Sequence, residues 1–258
     1  MFKKITTLLA ASLITLGSLQ AEEMAADKGF TGPEVSGYVG VVSNYVWRGV
    51  PQNGRLPSVQ GGIDLACSLV DGLSFGTWIA SIGGDIGNET DYYISYEGSA
   101  GDLGYKAGVT MYSYDFSEFT SYNDVDGKFV QATTQKEFFV GASMGDVSGT
   151  YYMIPAEPST YGAGEKADES VGLSWLELAY GTKVGKFDVS ATYSTGTYNQ
   201  EWLNAGNPIE STAILSYSFG KSVSEDTTVS FNGTKVLTNS DKGAVLKDEF
   251  WMSLDVAY

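Results

Sequence analysis

Residues 248–258 read DEFWMSLDVAY, and from Phe250 onward every second position is apolar: Phe250, Met252, Leu254 and Val256, with Tyr258 last. Glu249, Trp251, Ser253, Asp255 and Ala257 stand between them and are mostly polar. A period of two is the pattern of a strand with one greasy face and one wet face. A soluble β-sandwich can also end on such a strand. Whether the greasy face meets a protein core or lipid must therefore be decided by the rest of the chain.

The same alternation recurs upstream. In PSVQGGIDLACSLV (residues 57–70), Val59, Gly61, Ile63, Leu65, Cys67 and Leu69 alternate with Ser58, Gln60, Gly62, Asp64, Ala66 and Ser68. Similar apolar faces are Tyr92-Ile94-Tyr96, Tyr105-Ala107-Val109-Met111, Phe138-Val140-Ala142-Met144, Phe187-Val189-Ala191-Tyr193 and Ala213-Leu215-Tyr217-Phe219. Weaker segments lie near 37–50, 73–82, 148–155, 171–181 and 227–237, so with the terminal one the pattern predicts twelve strands. The links alternate in length. Short ones fall at 70–72, 98–102, 145–147, 183–186 and 221–226; long ones at 51–56, 83–89, 115–133, 155–169, 196–208 and 239–247.

Short turns at one end, long loops at the other and an even strand count predict an all-β fold, a transmembrane antiparallel up-and-down barrel of the bacterial outer membrane. In that reading the turns and both termini are periplasmic and the long loops are external. The last strand must close the barrel, because an unpaired edge cannot be served in lipid. Phe250, Met252, Leu254, Val256 and Tyr258 also resemble the terminal signal read by the barrel-assembly machinery.

Lys3 and Lys4 precede an apolar run from Ile5 to about Leu19 and then Ser18-Leu19-Gln20-Ala21, which predicts a secretory signal over residues 1–21. A retained anchor helix fits less well, since the run is shorter than the ~20 apolar residues a span needs. Residues 22–35 would form a short periplasmic segment and 36–258 the barrel. The whole chain carries −16, from 31 acidic and 15 basic residues, and loss of Lys3 and Lys4 takes the remainder to −18. That balance argues against nucleic acid, whose phosphates require a basic footprint. The lone Cys67 allows no internal disulfide.

Catalytic readings find little support. The chain has no histidine, which removes the usual nucleophile–base logic. Gly220-Lys221-Ser222 imitates the end of a phosphate loop, but Leu215 stands where the first glycine belongs. Asn123-Asp124-Val125-Asp126-Gly127 imitates a calcium loop, yet Tyr122 and Thr133 occupy its first and twelfth ligand positions. Cys67, on an apolar face, reads as a small lipid-facing residue. No enzyme activity, cofactor or metal is expected.

Residues 41–66, VVSNYVWRGVPQNGRLPSVQGGIDLA, resemble the opening motif of the TorF-like family of outer-membrane porins. The matching positions are Ser43, Tyr45, Arg48, Gly49, Gln52, Pro57, Gln60, Gly61 and Asp64, and Glu89-Thr90-Asp91-Tyr92 continues the likeness, which is strongest over about residues 36–115. Pro51 departs from the small hydroxyl residue of that motif. The resemblance implies a barrel and a transport role.

Eight-stranded barrels are filled by side chains and sixteen-stranded ones hold a channel, so twelve strands predict a narrow lumen. The expected function is passive diffusion of small polar solutes, with outer-membrane lipid, periplasmic chaperones and the assembly machinery as partners. The alternative is a plugged or narrow barrel that is structural or binds a ligand. With polar faces inward, Asp64, Asp91, Glu97, Glu137, Glu177, Asp188, Glu210, Glu249 and Asp255 line the lumen against Arg48 and Lys106, which predicts cation preference. Arg48 would lie near the external mouth as a local counterweight.

Overall fold

The computed structural model describes residues 33–82, 87–114, 135–155, 173–198, 209–239 and 247–258. The expected signal region, most of the segment before the barrel, and the long links at 83–86, 115–134, 156–172, 199–208 and 240–246 lie outside them. So do Asp124 and Asp126 of the calcium-like stretch and the side chain of Glu210.

Among the described residues every regular element is a strand. They are β1 (Glu34–Val42), β2 (Val46–Trp47), β3 (Val50–Pro51), β4 (Ser58–Ala66), β5 (Leu73–Ser81), β6 (Asn88–Ala100) and β7 (Leu103–Tyr114). Then follow β8 (Gln135–Met144), β9 (Val147–Ile154), β10 (Leu173–Val184), β11 (Phe187–Tyr198), β12 (Ile209–Ser222), β13 (Thr227–Asn239) and β14 (Glu249–Ala257). Twelve of them close an antiparallel barrel in which each strand pairs with its neighbours in sequence and β1 pairs with β14. The small pair β2–β3 stands apart from the barrel sheet.

Closure is made by residues at both ends of the chain. Val39 of β1 faces Val256 on one side and Gly61 on the other. Past the end of β14, Tyr258 exchanges two backbone hydrogen bonds with Gly37, at 3.0 and 2.9 Å. The pairing leaves no free edge.

Alternation sorts the side chains as a two-faced sheet requires. Val59, Ile63, Leu65, Tyr92, Ile94, Phe138, Val140, Phe219, Phe250, Met252 and Leu254 are all exposed on the outside of the barrel. A continuous apolar coat of this kind is not stable against water and matches hydrocarbon. The inward positions carry Ser58, Ser148, Thr150, Ser190, Thr192, Thr212, Thr228, Ser230 and Ser253, all buried. A sandwich, which hides apolar residues between two sheets, would show the opposite distribution.

The short links join strands at one end and the long ones at the other, as alternation of link length predicts. Two boundaries differ from the sequence reading. β4 stops at Ala66, so Cys67 lies in the turn with its N–H bonded to Leu73 at 2.8 Å, and not on the lipid-facing side of a strand. The strand expected over 37–50 ends at Val42, where the chain leaves the wall.

Candidate functional site

Residues 43–57 leave β1 at the long-loop end and turn inward. Two tight turns shape this insert. Arg48 and Gly49 both have positive φ, 48° and 81°, between the paired residues Trp47 and Val50. Positive φ at both central positions is the requirement of the hairpin turn that matches strand twist. Gly54 and Arg55 repeat it with φ of 66° and 67°, and the N–H of Leu56 closes the turn on Asn53 at 3.2 Å. The side chain of Asn53 also donates to the Leu56 carbonyl. A hydrogen bond of 2.7 Å from the Gln52 N–H to the Tyr45 carbonyl ties the hairpin base.

The insert is buried inside the barrel, with Asn44, Tyr45, Val46, Arg48, Val50 and Asn53 each no more than 6% exposed. Its side chains reach the inner wall in nearly every direction. Asn44 donates to Glu249 of β14 at 3.2 Å, and the Tyr45 hydroxyl donates to Glu89 of β6 at 2.9 Å. The Tyr45 ring meets Trp78 of β5 edge-on at 5.6 Å, and Trp47 meets Tyr112 of β7 at 6.2 Å. Val50 packs in one cluster with Trp175 of β10 and Ile214 of β12. Arg55 grips Glu249 through Nε at 3.0 Å and Nη2 at 2.6 Å, and this hydrogen bonding raises the guanidinium pKa above its ordinary value.

At the hairpin tip Arg48 is enclosed by side chains of the inner wall. Its Nη2 lies 2.7 Å from Glu137 of β8, with both side chains almost wholly buried. Its guanidinium carbon stands 4.5 Å from the Trp47 ring centre, 4.9 Å from Tyr152 of β9 and 5.3 Å from Trp175. All three are within the ~6 Å over which a ring face attracts a cation. Glu137 also accepts the Tyr112 hydroxyl at 2.8 Å, and Glu177 accepts the Trp175 indole N–H at 3.1 Å. Arg48 is thus buried and ion-paired inside the barrel, and the residues around it, Tyr112, Glu137, Tyr152 and Trp175, are each the third from the long-loop end of their strands.

The other expected lumen residues occupy two levels. Asp91, Glu137 and Glu177 are buried around the insert. Asp64 is half-buried nearer the short turns, where Tyr93 donates to it at 2.6 Å, and Asp255 is buried on β14. Lys106 lies over the Phe139 ring at 5.5 Å, opposite Glu97 in register; Glu97 itself is exposed near the turn end. Asp188 pairs with Lys183 at 2.7 Å beside the β10–β11 turn. Phe250, Met252, Leu254, Val256 and Tyr258 all point outward, Tyr258 being 73% exposed.

Sequence reasoning passed over Asn44, Arg55, Glu89, Trp47, Tyr112, Tyr152 and Trp175 as site residues. The available signal was the pair of turn dipeptides, Arg48-Gly49 and Asn53-Gly54, enclosing an aromatic-rich stretch. Among the described residues no group of His, Cys, Asp and Glu is arranged to hold a metal.

Because L residues rarely take φ near 81°, valine at Gly49 should strain the hairpin by about 1–2 kcal/mol. Its expected mark is faster proteolysis of the 43–57 insert in an otherwise intact barrel. A cleavage pattern identical to the parent's would show that the turn does not hold the insert in place.

A family model described as a bacterial protein of unknown function (Gcw_chp) matches residues 26–254. No curated protein sequence matches the chain. Among solved structures, the NanC porin aligns over 87% of this chain and 99% of its own, with a TM-score of 0.50 and 8% identity. The loop L8 deletion mutant of OmpT, an outer membrane protein of Vibrio cholerae, aligns over 88% of this chain and 99% of its own at 10% identity and a TM-score of 0.46. OccAB2 of Acinetobacter baumannii aligns over 90% of this chain at 12% identity and a TM-score of 0.44, and the alignment spans 66% of the OccAB2 chain. At these identities the NanC likeness speaks to the barrel fold alone.

Proposed function

This chain belongs to the Gcw_chp family of bacterial proteins, and we propose that it is a narrow outer-membrane channel through which small polar solutes, cations in preference, diffuse past the 43–57 insert. The observation that carries this reading is the chemistry of the inner wall. The hydroxyls of Thr150, Ser190, Thr212 and Thr234 are shielded by the barrel yet make no hydrogen bond to protein. A polar inner wall inside an apolar coat is the architecture of a pore. The TorF-like resemblance of the opening motif and the porin fold are in keeping with it. No chemistry is needed for passive diffusion, and a non-enzymatic role belongs to the same proposal.

Charge supports the cation preference. Arg48 offsets Glu137, Arg55 offsets Glu249 and Lys183 offsets Asp188. Asp64, Asp91, Glu177 and Asp255 have no ion pair within 4 Å among the described residues, whereas Lys106 is the remaining inward base of the expected set. Carboxylates on a pore wall draw cations in. In planar bilayers, refolded protein should show small discrete openings whose reversal potential under a salt gradient reports cation preference. That preference should weaken as salt rises, and it should diminish in Asp64→Asn with Glu177→Gln. Silence from properly folded, heat-modifiable protein would favour the second reading, a plugged barrel, which the inward contacts of the insert recommend.

The orientation and assembly readings belong to the same proposal. The signal would be removed after Ala21, the short turns and termini would be periplasmic, and Tyr258 with its outward partners would be what the assembly machinery reads. Cysteine at Asp146 in a Cys67→Ser background should resist an impermeant thiol reagent on intact cells. Deleting Tyr258 should lower the heat-modifiable barrel in the membrane fraction. Labelling of intact cells would invert the topology, and an unchanged barrel level would remove the terminal signal.

A further inference from the structure

The tip of the insert suggests what kind of solute the lumen recognises. Tyr152 and Trp175 are paired neighbours on β9 and β10, and their ring centres lie 4.9 and 5.3 Å from the Arg48 guanidinium carbon. Glu137 and Glu177, both at least 96% buried, supply two carboxylates there. Arg48 answers with a single guanidinium, ion-paired to Glu137. One oxygen of Glu177 takes the Trp175 indole N–H, and the carboxylate also faces the Tyr152 hydroxyl. The hydroxyl of Thr150, opposite Glu177 in register, is buried without a hydrogen bond. The wall therefore holds more anionic and accepting capacity than its occupant uses.

The occupant is also held under strain. Arg48 has a φ of 48°, in the left-handed region that a non-glycine residue rarely adopts. It is placed there by a hairpin whose two strands are two residues each. Backbone strain of this sort persists where the position of a side chain matters more than local preference. The three surrounding rings suit a flat, delocalised, weakly hydrated cation better than a compact ammonium.

We propose that Glu137, Tyr152, Trp175 and Glu177 form a binding site for the guanidinium group of a solute, and that Arg48 occupies it as a tethered stand-in which an entering solute displaces. This rests on the lumen being the path of solutes. Binding, however, is measured in detergent without any current, so its failure is distinct from a failure to conduct.

The test uses the full-length folded protein with Arg48→Ala, and guanidinium chloride below denaturing concentration as probe. Sodium chloride and tetramethylammonium chloride at equal ionic strength serve as controls. Tryptophan emission should change saturably with guanidinium in the variant. The half-saturating concentration in the parent should be at least about tenfold higher, since there Arg48 competes. Adding Glu137→Gln and Glu177→Gln should abolish the response. If Arg48→Ala does not fold, Arg48→Lys, which keeps the charge and removes the plane, should show a smaller gain over the parent in the same direction. No saturable response in a folded variant, an equal response in the parent, or an equal response to tetramethylammonium would overturn the assignment.

Discussion

Replacing residues 44–56 with Asn-Gly raises the single-channel conductance several-fold while leaving the barrel closed. The deletion is geometrically mild. Val42 and Ser58 already face one another across β1 and β4, so Ser43-Asn-Gly-Pro57 spans them with the turn dipeptide such a connection prefers, without the closing N–H that Pro57 lacks. Every strand pairing of the barrel is kept. What disappears is the side-chain bulk of Tyr45, Arg48 and Val50, with the partly buried Trp47, from the interior. Twelve strands enclose more space than the eight that side chains alone can fill, so removing the insert should turn a constriction into an open bore. Selectivity should change with it. Glu137 and Glu249 lose their basic partners, and the variant should prefer cations more strongly than the parent. A conductance equal to the parent's would mean that the insert does not stand in the ion path.

This expectation could not have been drawn from periodicity. Alternation at Phe250, Met252 and Leu254, or at Val59, Ile63 and Leu65, reports a two-faced strand, and the barrel followed from its repetition and from the lengths of the links. The same pattern of half-polar residues continued past Val42 and suggested strand as far as Val50. In the folded chain that stretch is buried against the inner wall, across more than forty residues of sequence to Glu89 and more than two hundred to Glu249. Contacts at that separation leave no local period. Arg48 was read as an inward base by placing polar faces toward the lumen, but its partner was not legible, since nothing in the sequence links it to Glu137. Tyr152 and Trp175 were hidden for another reason. An aromatic residue on the wet face of a weak strand looks like ordinary interfacial tyrosine or tryptophan until a guanidinium is found against it.

Arg48 and Glu137 should be strongly coupled in stability. Removing the arginine leaves a buried carboxylate with only the Tyr112 hydroxyl and its surroundings for compensation, a loss of about 3–5 kcal/mol in a dry interior. Water in the lumen moves the expectation toward the lower end. Arg48→Ala should therefore destabilise the barrel markedly in reversible unfolding from lipid vesicles. Glu137→Gln should cost less, because the amide still accepts from Tyr112. The double variant should recover part of the loss of Arg48→Ala, giving a coupling above the ~1 kcal/mol that exposed pairs reach. Additivity to within about 0.5 kcal/mol would show that the pair is a contact of convenience. The same cycle with Arg55→Ala and Glu249→Gln should yield a smaller coupling, because half of the Arg55 side chain is exposed.

The position of residue 48 in the conducting path can be measured directly. In a Cys67→Ser background, Arg48→Cys places one thiol where the guanidinium stands now. Channels of this variant in a planar bilayer should carry current, and a bulky thiol-reactive reagent added to the long-loop side should then reduce the open-channel current nearly to zero. The Cys67→Ser parent should be untouched by the same reagent. Unchanged current after complete modification of Cys at position 48, verified by mass, would contradict a lumen narrowed by the 43–57 insert.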